Sequence, residues 1–205
     1  KFKSVNNEQE AYILGFWFAD GWVSDRQAGI RLSIIDKEII ENIRNYICKD
    51  IKIQHCKNKK SCSIVISSEE AVNNLLALGC LRNKTYKKLD IPFMNKNLLR
   101  HFIRGYFDGD GTVYKDNNFV RANICSINKE FLEDIQKILL EEGIETRINV
   151  EIRKDKLMKT PQGFSTNCKD MYRLFIRKKE SLQKLKEYFY KNSSIYLERK
   201  FLKFN

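Results

Sequence analysis

An apolar segment ending in Asp-Gly occurs twice, and this duplication constrains the chain more than any other feature. Ile13-Leu14-Gly15-Phe16-Trp17-Phe18-Ala19-Asp20-Gly21 lies near the start, and Ile103-Arg104-Gly105-Tyr106-Phe107-Asp108-Gly109-Asp110-Gly111 follows 90 residues later. Each run begins upstream, near Ala11 and Leu98, and has room for about three helical turns at roughly 3.6 residues per turn. Gly15 and Ala19, like Gly105 and Gly109, are four apart and share a helix face, where another backbone can approach closely. Small residues seat membrane helices on one another in the same way, but neither run is long enough to span a bilayer. Gly21 and Gly111 are expected in the left-handed conformation that ends a helix. Two helices crossing through their small faces would bring Asp20 and Asp110 together at one end.

A carboxylate at a helix C-terminus is opposed by the local dipole, and two close together repel. Such a pair needs a cation, and a shared divalent metal or a metal pair is the obvious candidate. Taken singly, each Asp-Gly also reads as an exposed turn. Two copies in matching helical contexts are poorly served by that reading.

These segments resemble those of the LAGLIDADG homing endonucleases, the single-chain kind with two motifs. The second copy fits closely. The first departs at Phe18, where the family often has an acid and where the second copy has Asp108. The resemblance implies that Asp20 and Asp110 bind metal, Mg²⁺ or another divalent cation, and are catalytic. It also implies an intron-homing type of DNA cleavage, with a short staggered double-strand break at a long, tolerant site.

Net charge is +12, from 38 Lys plus Arg against 26 acids, which permits nucleic-acid binding without requiring it. With 205 residues and 42% apolar content, one domain or two small ones can be filled. No apolar run approaches transmembrane length and no secretory signal is visible, although the chain begins at Lys1, so a lost leader stays open. The six cysteines, 48, 56, 62, 80, 125 and 168, lack metal-ligand spacing. They read as free thiols in a reducing compartment, cytoplasmic or organellar. With only His55 and His101, zinc is not expected.

The elements repeat in order. After Lys1–Glu10, a polar arm, the first motif helix covers about 7–20, followed by a hairpin in which Ile30, Leu32 and Ile34 alternate with Arg31 and Ser33. Asp36 is expected to N-cap a helix carrying Ile39, Ile40, Ile43 and Ile47. A second hairpin pairs 51–55 with 62–66, and Ser68 caps a helix stopped by Gly79. In the second half, Ile127 mirrors Ile35 at an offset of 92 and Ile176 mirrors Ile66 at 110, so the long 154–170 connection, read as a slack loop, absorbs most of the difference. The expected fold is α+β: two pseudo-symmetric αββαββα-like halves, 1–96 and 97–205, whose antiparallel sheets form a DNA-binding saddle. The motif helices are the interface, so neither half is expected to fold well alone. An asymmetric monomer of this kind suits an asymmetric double-stranded DNA target, with no obligate protein partner and no membrane.

Beyond the third helix of each half comes a basic segment. Lys84 resembles the family's lysine near the scissile phosphates, where it would steady water or offset transition-state charge. Lys200 is its parallel, with Arg199 as a rival; the plain alternative is a solvated lysine. For DNA, the polar strand faces offer Arg31, Ser33, Lys52, Gln54, Ser61 and Ser63 in the first half. The second offers Arg121, Asn123, Arg147, Asn149, Arg153, Arg173 and Arg177. β-Ribbons fit the major groove, where such side chains address base edges. The loop lysines 57, 59, 60, 154, 156 and 159 (Lys57, Lys59, Lys60 and Lys154 foremost) suit phosphates. Rival readings are a non-cleaving DNA-binding regulator, an RNA maturase using a basic surface on the helical side, and a basic oligomerising protein whose Asp-Gly pairs only end helices.

Overall fold

In the computed structural model the two motif segments are helices α1 (Glu8–Asp20) and α4 (Lys96–Asp110), crossed against one another. The structure describes residues 2–56, 60–84, 87–117, 119–152, 154–155, 157–160, 163–166 and 169–205. Asn7 starts α1 by accepting a hydrogen bond from the Glu10 amide, and Asn95 starts α4 by accepting from the Asn97 amide. The crossing is made at the small residues. A Cβ on Gly15 would overlap the Phe102 carbonyl oxygen, and one on Gly105 would overlap the Tyr12 carbonyl oxygen and stand 2.9 Å from the Phe16 nitrogen. Backbone therefore lies on backbone, and Ile13, Leu14, Phe16, Phe102, Ile103 and Phe107 are wholly removed from water around it.

Each helix feeds a four-stranded antiparallel sheet of the same order. The first contains β1 (Gly21–Val23), β2 (Ala28–Ser33), β3 (Gln54–His55) and β4 (Ser61–Ile66), ordered β1-β2-β4-β3. The second contains β5 (Gly111–Asp116), β6 (Phe119–Ser126), β7 (Arg147–Ile152) and β10 (Met171–Ile176), ordered β5-β6-β10-β7. Alternation sends Ala28, Ile30, Cys62 and Ile64, and likewise Ala122, Ile124, Leu174 and Ile176, into the core. The helices α2 (Lys37–Ile47), α3 (Glu69–Ala77), α5 (Lys129–Glu141) and α6 (Lys179–Tyr190) complete the two halves, and a short α7 (Glu198–Phe201) follows. Ser68 and Asn128 cap α3 and α5 with their side chains, while Gly79 (φ 91°) and Gly143 (φ 69°) terminate them in the left-handed region. This is the expected α+β architecture of two pseudo-symmetric halves.

Four expectations need correction. Gly21 and Gly111 are extended, at φ −80° and −93°, rather than left-handed. They are glycines because space is short: a Cβ on Gly21 would stand 2.5 Å from the Trp17 carbonyl oxygen, and one on Gly111 would stand 2.5 Å from the Phe107 ring. Asp36 precedes α2 but makes no capping bond, because its carboxylate receives both Nε (2.5 Å) and Nη2 (2.8 Å) of Arg199 from the other half. The connection after β7 contains two further strands, β8 (Leu157–Thr160) and β9 (Gly163–Thr166), which pair as a separate ribbon. Finally, β3 pairs at only Gln54 and His55 instead of along 51–55.

α4 also holds a buried charge that the alternation of apolar residues conceals. Arg104, fully buried, donates to Glu8 at 2.8 Å, Phe189 O at 2.7 Å, Ser193 Oγ at 2.6 Å and Ile195 O at 3.1 Å. Its guanidinium also lies 5.2 Å from the Tyr12 ring centre. Arg104→Met is expected to destabilise by about 3 kcal/mol, because the Glu8 carboxylate and two carbonyls lose their donor together. Urea denaturation of the two proteins measures it, and a difference below about 1 kcal/mol would contradict this assignment.

Candidate active site

Asp20 and Asp110 each lie five residues beyond the glycine at which α1 and α4 touch, which sets Asp20 beside the end of α4. A Cβ on Gly109 would come 2.8 Å from Asp20 Oδ2. Asp20 is raised from its ordinary 3.8 to about 6, first by burial and then by the neighbouring Asp110 charge, with Lys84 and Lys200 opposing the rise. Asp110 is raised as well, by burial, against the opposing pull of Lys84, a Tyr106 hydroxyl hydrogen bond and Lys200. Two carboxylates thus share a partly dry position at helix C-termini, where they ionise reluctantly. A divalent cation relieves this conflict, and hard carboxylate oxygens suit Mg²⁺. Among the described residues no group of three or more His, Cys, Asp or Glu side chains that could hold a metal ion is present.

The two lysines reveal how the pair is tolerated. Lys84 Nζ donates to Phe18 O at 2.9 Å and to Ala19 O, in the last turn of α1. Lys200 Nζ donates to Phe107 O (2.8 Å), Asp108 O (2.5 Å), Gly109 O (3.4 Å) and Gly111 O (2.6 Å) at the end of α4. Phe18 and Ala19 correspond to Asp108 and Gly109 across the repeat, so the two ammonium groups occupy matching positions. Each neutralises the negative pole of the helix that presents an acid. Burial lowers both amines, Lys200 to about 8, while Asp110 and Asp20 hold Lys84 up and Asp108 does so for Lys200. Arg199, the other basic residue considered, is turned away onto Asp36.

Asp108 is turned inward. It is 1% exposed and accepts from the Tyr12 hydroxyl and the Leu197 amide, both at 2.8 Å. Leu197 precedes the turn that carries Lys200, so Asp108 ties that turn to α4. Phe18 performs the matching task by packing: its ring meets Phe102 edge-on at 5.1 Å and would lie 3.3 Å from a Cβ on Gly79. Arg104, Tyr106 and Asp108 in α4 face Leu14, Phe16 and Phe18 in the repeat alignment. The second half is therefore strapped to its motif helix by charge and the first by apolar contact. A pair of charges four apart inside an otherwise buried helix, Arg104 and Asp108, was the available signal in the sequence. His101 is buried on Arg104 and lowered to about 4, chiefly by burial, so it is a neutral packing residue.

Of the DNA-facing candidates, Arg31, Ser33, Lys52, Gln54, Lys60, Arg147, Lys154 and Arg177 are exposed. Ser61, Arg121, Asn149 and Arg173 are half-buried, whereas Ser63 and Asn123 are covered at 6% and 1% exposure. Register places Arg31 opposite Ser63 and Gln54 opposite Ser63, and in the second sheet Arg173 lies opposite Asn149. Lys57, Lys59 and Arg153, with Lys156, lie outside the described residues, as does the side chain of Lys159. Two aromatic residues join these faces without having been singled out. Trp22 is 38% exposed and lies over Gly29, and Phe175 carries the guanidiniums of Arg177 at 4.3 Å and Arg173 at 5.8 Å.

The profile of the LAGLIDADG-like domain matches residues 7–77 and 97–190, both motif helices included. The chain belongs to the LAGLIDADG-like family. Curated relatives include two Methanocaldococcus jannaschii proteins. A replication factor C small subunit is 30% identical over 75% of this chain, and a probable translation initiation factor IF-2 is 30% identical over 90%. The chain spans 8% and 15% of those proteins' lengths. Among solved structures, mesophilic variants of the homing endonuclease I-DmoI superpose with a TM-score of 0.62 at 16% identity, covering 97% of this chain and 98% of that one. I-SmaMI bound to uncleavable DNA gives 0.59 at 11% identity, covering 91% and 85%. These likenesses establish the LAGLIDADG saddle. Among the described residues no helix is long and apolar enough to cross a membrane, and Cys48, Cys56, Cys62, Cys80 and Cys125 are free thiols.

The acid pair makes a stability prediction of definite sign. Because Asp20 is raised to about 6, the native protein holds this proton more tightly than the unfolded chain, where Asp titrates near roughly 3.9. Stability therefore falls as pH rises through that window, once the unfolded chain ionises and the native one resists. Without divalent metal, Asp20→Asn is expected to be more stable than the parent by about 1–2 kcal/mol above pH ~6.5, discounted for partial exposure, and equal to it below pH ~4. Denaturant titrations at the two pH values test this; a variant less stable at high pH would refute it.

Proposed function

We propose that this protein is a site-specific endonuclease that hydrolyses one phosphodiester in each strand of a long asymmetric DNA duplex, dependent on Mg²⁺ or another divalent cation. The observation that carries this reading is the pair Asp20 and Asp110, raised by burial at the seam and backed by Lys84 and Lys200 on the helix ends. A bound divalent cation supplies Lewis acidity toward phosphate oxygens and the leaving alkoxide.

The chain's own residues supply placement. Asp20 and Asp110 hold the cation site at the midline, so that each half addresses one strand. Lys84 and Lys200 keep the helix ends electrically neutral, which lets the acids ionise at working pH. Both ammonium groups are bonded to carbonyls, which would fix them beside the acids, where they would steady water or offset transition-state charge. The polar sheet faces position the duplex: Arg31, Gln54, Arg147, Arg173 and Arg177 reach base edges, and Lys60 and Lys154 reach phosphates. The protein would act as a monomer, its two halves replacing two subunits.

A randomised duplex library incubated with the parent and with the Asp20→Asn/Asp110→Asn double variant, with and without Mg²⁺, tests the proposal. Metal-dependent cutting by the parent alone is expected. Tight duplex binding without cutting would overturn it in favour of a regulator, and preferential binding of structured RNA would favour a maturase.

A further inference from the structure

A groove of about 1140 Å³ opens between the start of β6 and α6. Phe119, Val120, Leu182, Tyr190, Phe201 and Phe204 give it an apolar lining. Lys179, Lys186 and Lys191 stand along the helix side and Arg121 and Arg177 along the strand side, against one acid, Glu187. Five cations less one anion leave the lining at +4.

The sequence of α6 builds this wall deliberately from one stripe. Lys179, Leu182, Gln183, Lys186 and Tyr190 fall at i, i+3, i+4, i+7 and i+11, a single helix face about 16 Å long at roughly 1.5 Å per residue. The duplication does not require it. The corresponding helix α3 begins Glu69-Glu70 and contains no lysine. This lysine stripe is confined to one half and carried by a helix, so it lies outside what a two-fold DNA saddle needs, whereas Arg121 and Arg177 on the strand side are shared with the polar strand face.

We propose that this groove docks an acidic amphipathic peptide segment of a partner protein, its apolar side chains in the cleft and its carboxylates on the flanking cations. Charge complementarity selects an anionic occupant, and the ring geometry selects peptide over nucleic acid. Single-stranded bases need open, flat aromatic faces. Here Tyr190 meets Phe201 at 57° and Phe204 at 64°, and the Lys186 ammonium sits 5.2 Å over the Phe201 ring. The mouth ring, Phe119, is 62% exposed but carries the Arg121 guanidinium at 5.3 Å. Such interlocked, tilted rings leave gaps shaped for aliphatic and aromatic side chains, as in helix-in-groove recognition. The proposal stands whether or not the protein cuts DNA.

A displayed library of random 16-residue peptides, selected on the full chain, tests it. The expected winners combine Asp or Glu with Leu, Phe or Trp at helical spacing. The tightest of them should lose at least tenfold in affinity for Lys179→Glu/Lys186→Glu, measured by fluorescence anisotropy, at an unchanged melting temperature. Lys191→Glu, beyond the helix end, is the second variant and should lose about threefold. No enrichment, enrichment of neutral or basic peptides, or affinity indifferent to both variants would overturn the proposal. So would a 20-nucleotide single-stranded RNA that displaces the peptide and itself binds through the same lysines.

Discussion

A single methyl group at Gly105 is expected to destabilise the protein by about 4 kcal/mol or more and to lower its melting temperature by about 8–16 °C. The added Cβ would overlap the Tyr12 carbonyl oxygen and lie 2.9 Å from the Phe16 nitrogen, both of them main chain inside a helix. A flexible side chain could turn aside; a helical carbonyl cannot move without its neighbours. Relief requires α1 and α4 to separate along the seam, opening voids beside Ile13, Phe102 and Phe107, which are completely buried. Gly15→Ala should behave alike, since its Cβ would overlap the Phe102 carbonyl oxygen. Gly79→Ala is the control: its Cβ would meet side chains alone, the Phe18 ring at 3.3 Å and Pro92 Cγ at 3.9 Å, so the loss is mainly strain at φ 91°, about 1–2 kcal/mol. Thermal and urea melts of the three variants rank them. A Gly105→Ala protein as stable as Gly79→Ala would mean that the helices do not cross where the structure has them.

The seam was legible because its cause is local: small residues four apart in two matching runs permit one kind of packing. The first hairpin of each half and the capped start of α3 were legible for the same reason, with Ser68 acting within a few residues of itself. What sequence reasoning missed was settled at a distance. Asp36 has the local pattern of a cap, yet an arginine 163 positions away takes its carboxylate. Asp-Gly suggested left-handed glycines, whereas the rings of Trp17 and Phe107 fix the choice at Gly21 and Gly111 by exclusion. Lys84 and Lys200 could be picked out by position after the third helix. Their bonds to motif-helix carbonyls could not, because the turns that carry them are placed by Phe18 packing in one half and by Asp108 in the other. Arg104 is the clearest case: its partners in the 189–195 segment have no pattern that links them to α4 in the sequence.

Asp110→Asn and Asp20→Asn are each expected to lower the cleavage rate about 10³-fold or more. A cation between two carboxylates stabilises the transition state by several kcal/mol, and roughly 4 kcal/mol corresponds to a factor of about 10³. Asparagine preserves the shape of the site, and its neutral amide is a poor ligand for a hard cation. Duplex affinity should hold within several-fold, because in the proposed reading the polar sheet faces and not the acids carry the duplex. Asn at either position also relieves the repulsion between buried carboxylates, so loss of activity should coincide with equal or greater stability. That coincidence separates a catalytic loss from an unfolded protein.

The central claim is that these two acids, and no other pair, form the cutting centre. Single-turnover cleavage of a library-selected duplex in Mg²⁺, comparing the parent with each single Asp→Asn variant that binds the duplex normally, tests it most directly. The parent should cut both strands, and either variant should lose about three orders of magnitude in rate. A variant that binds and cuts both strands at the parental rate would contradict it.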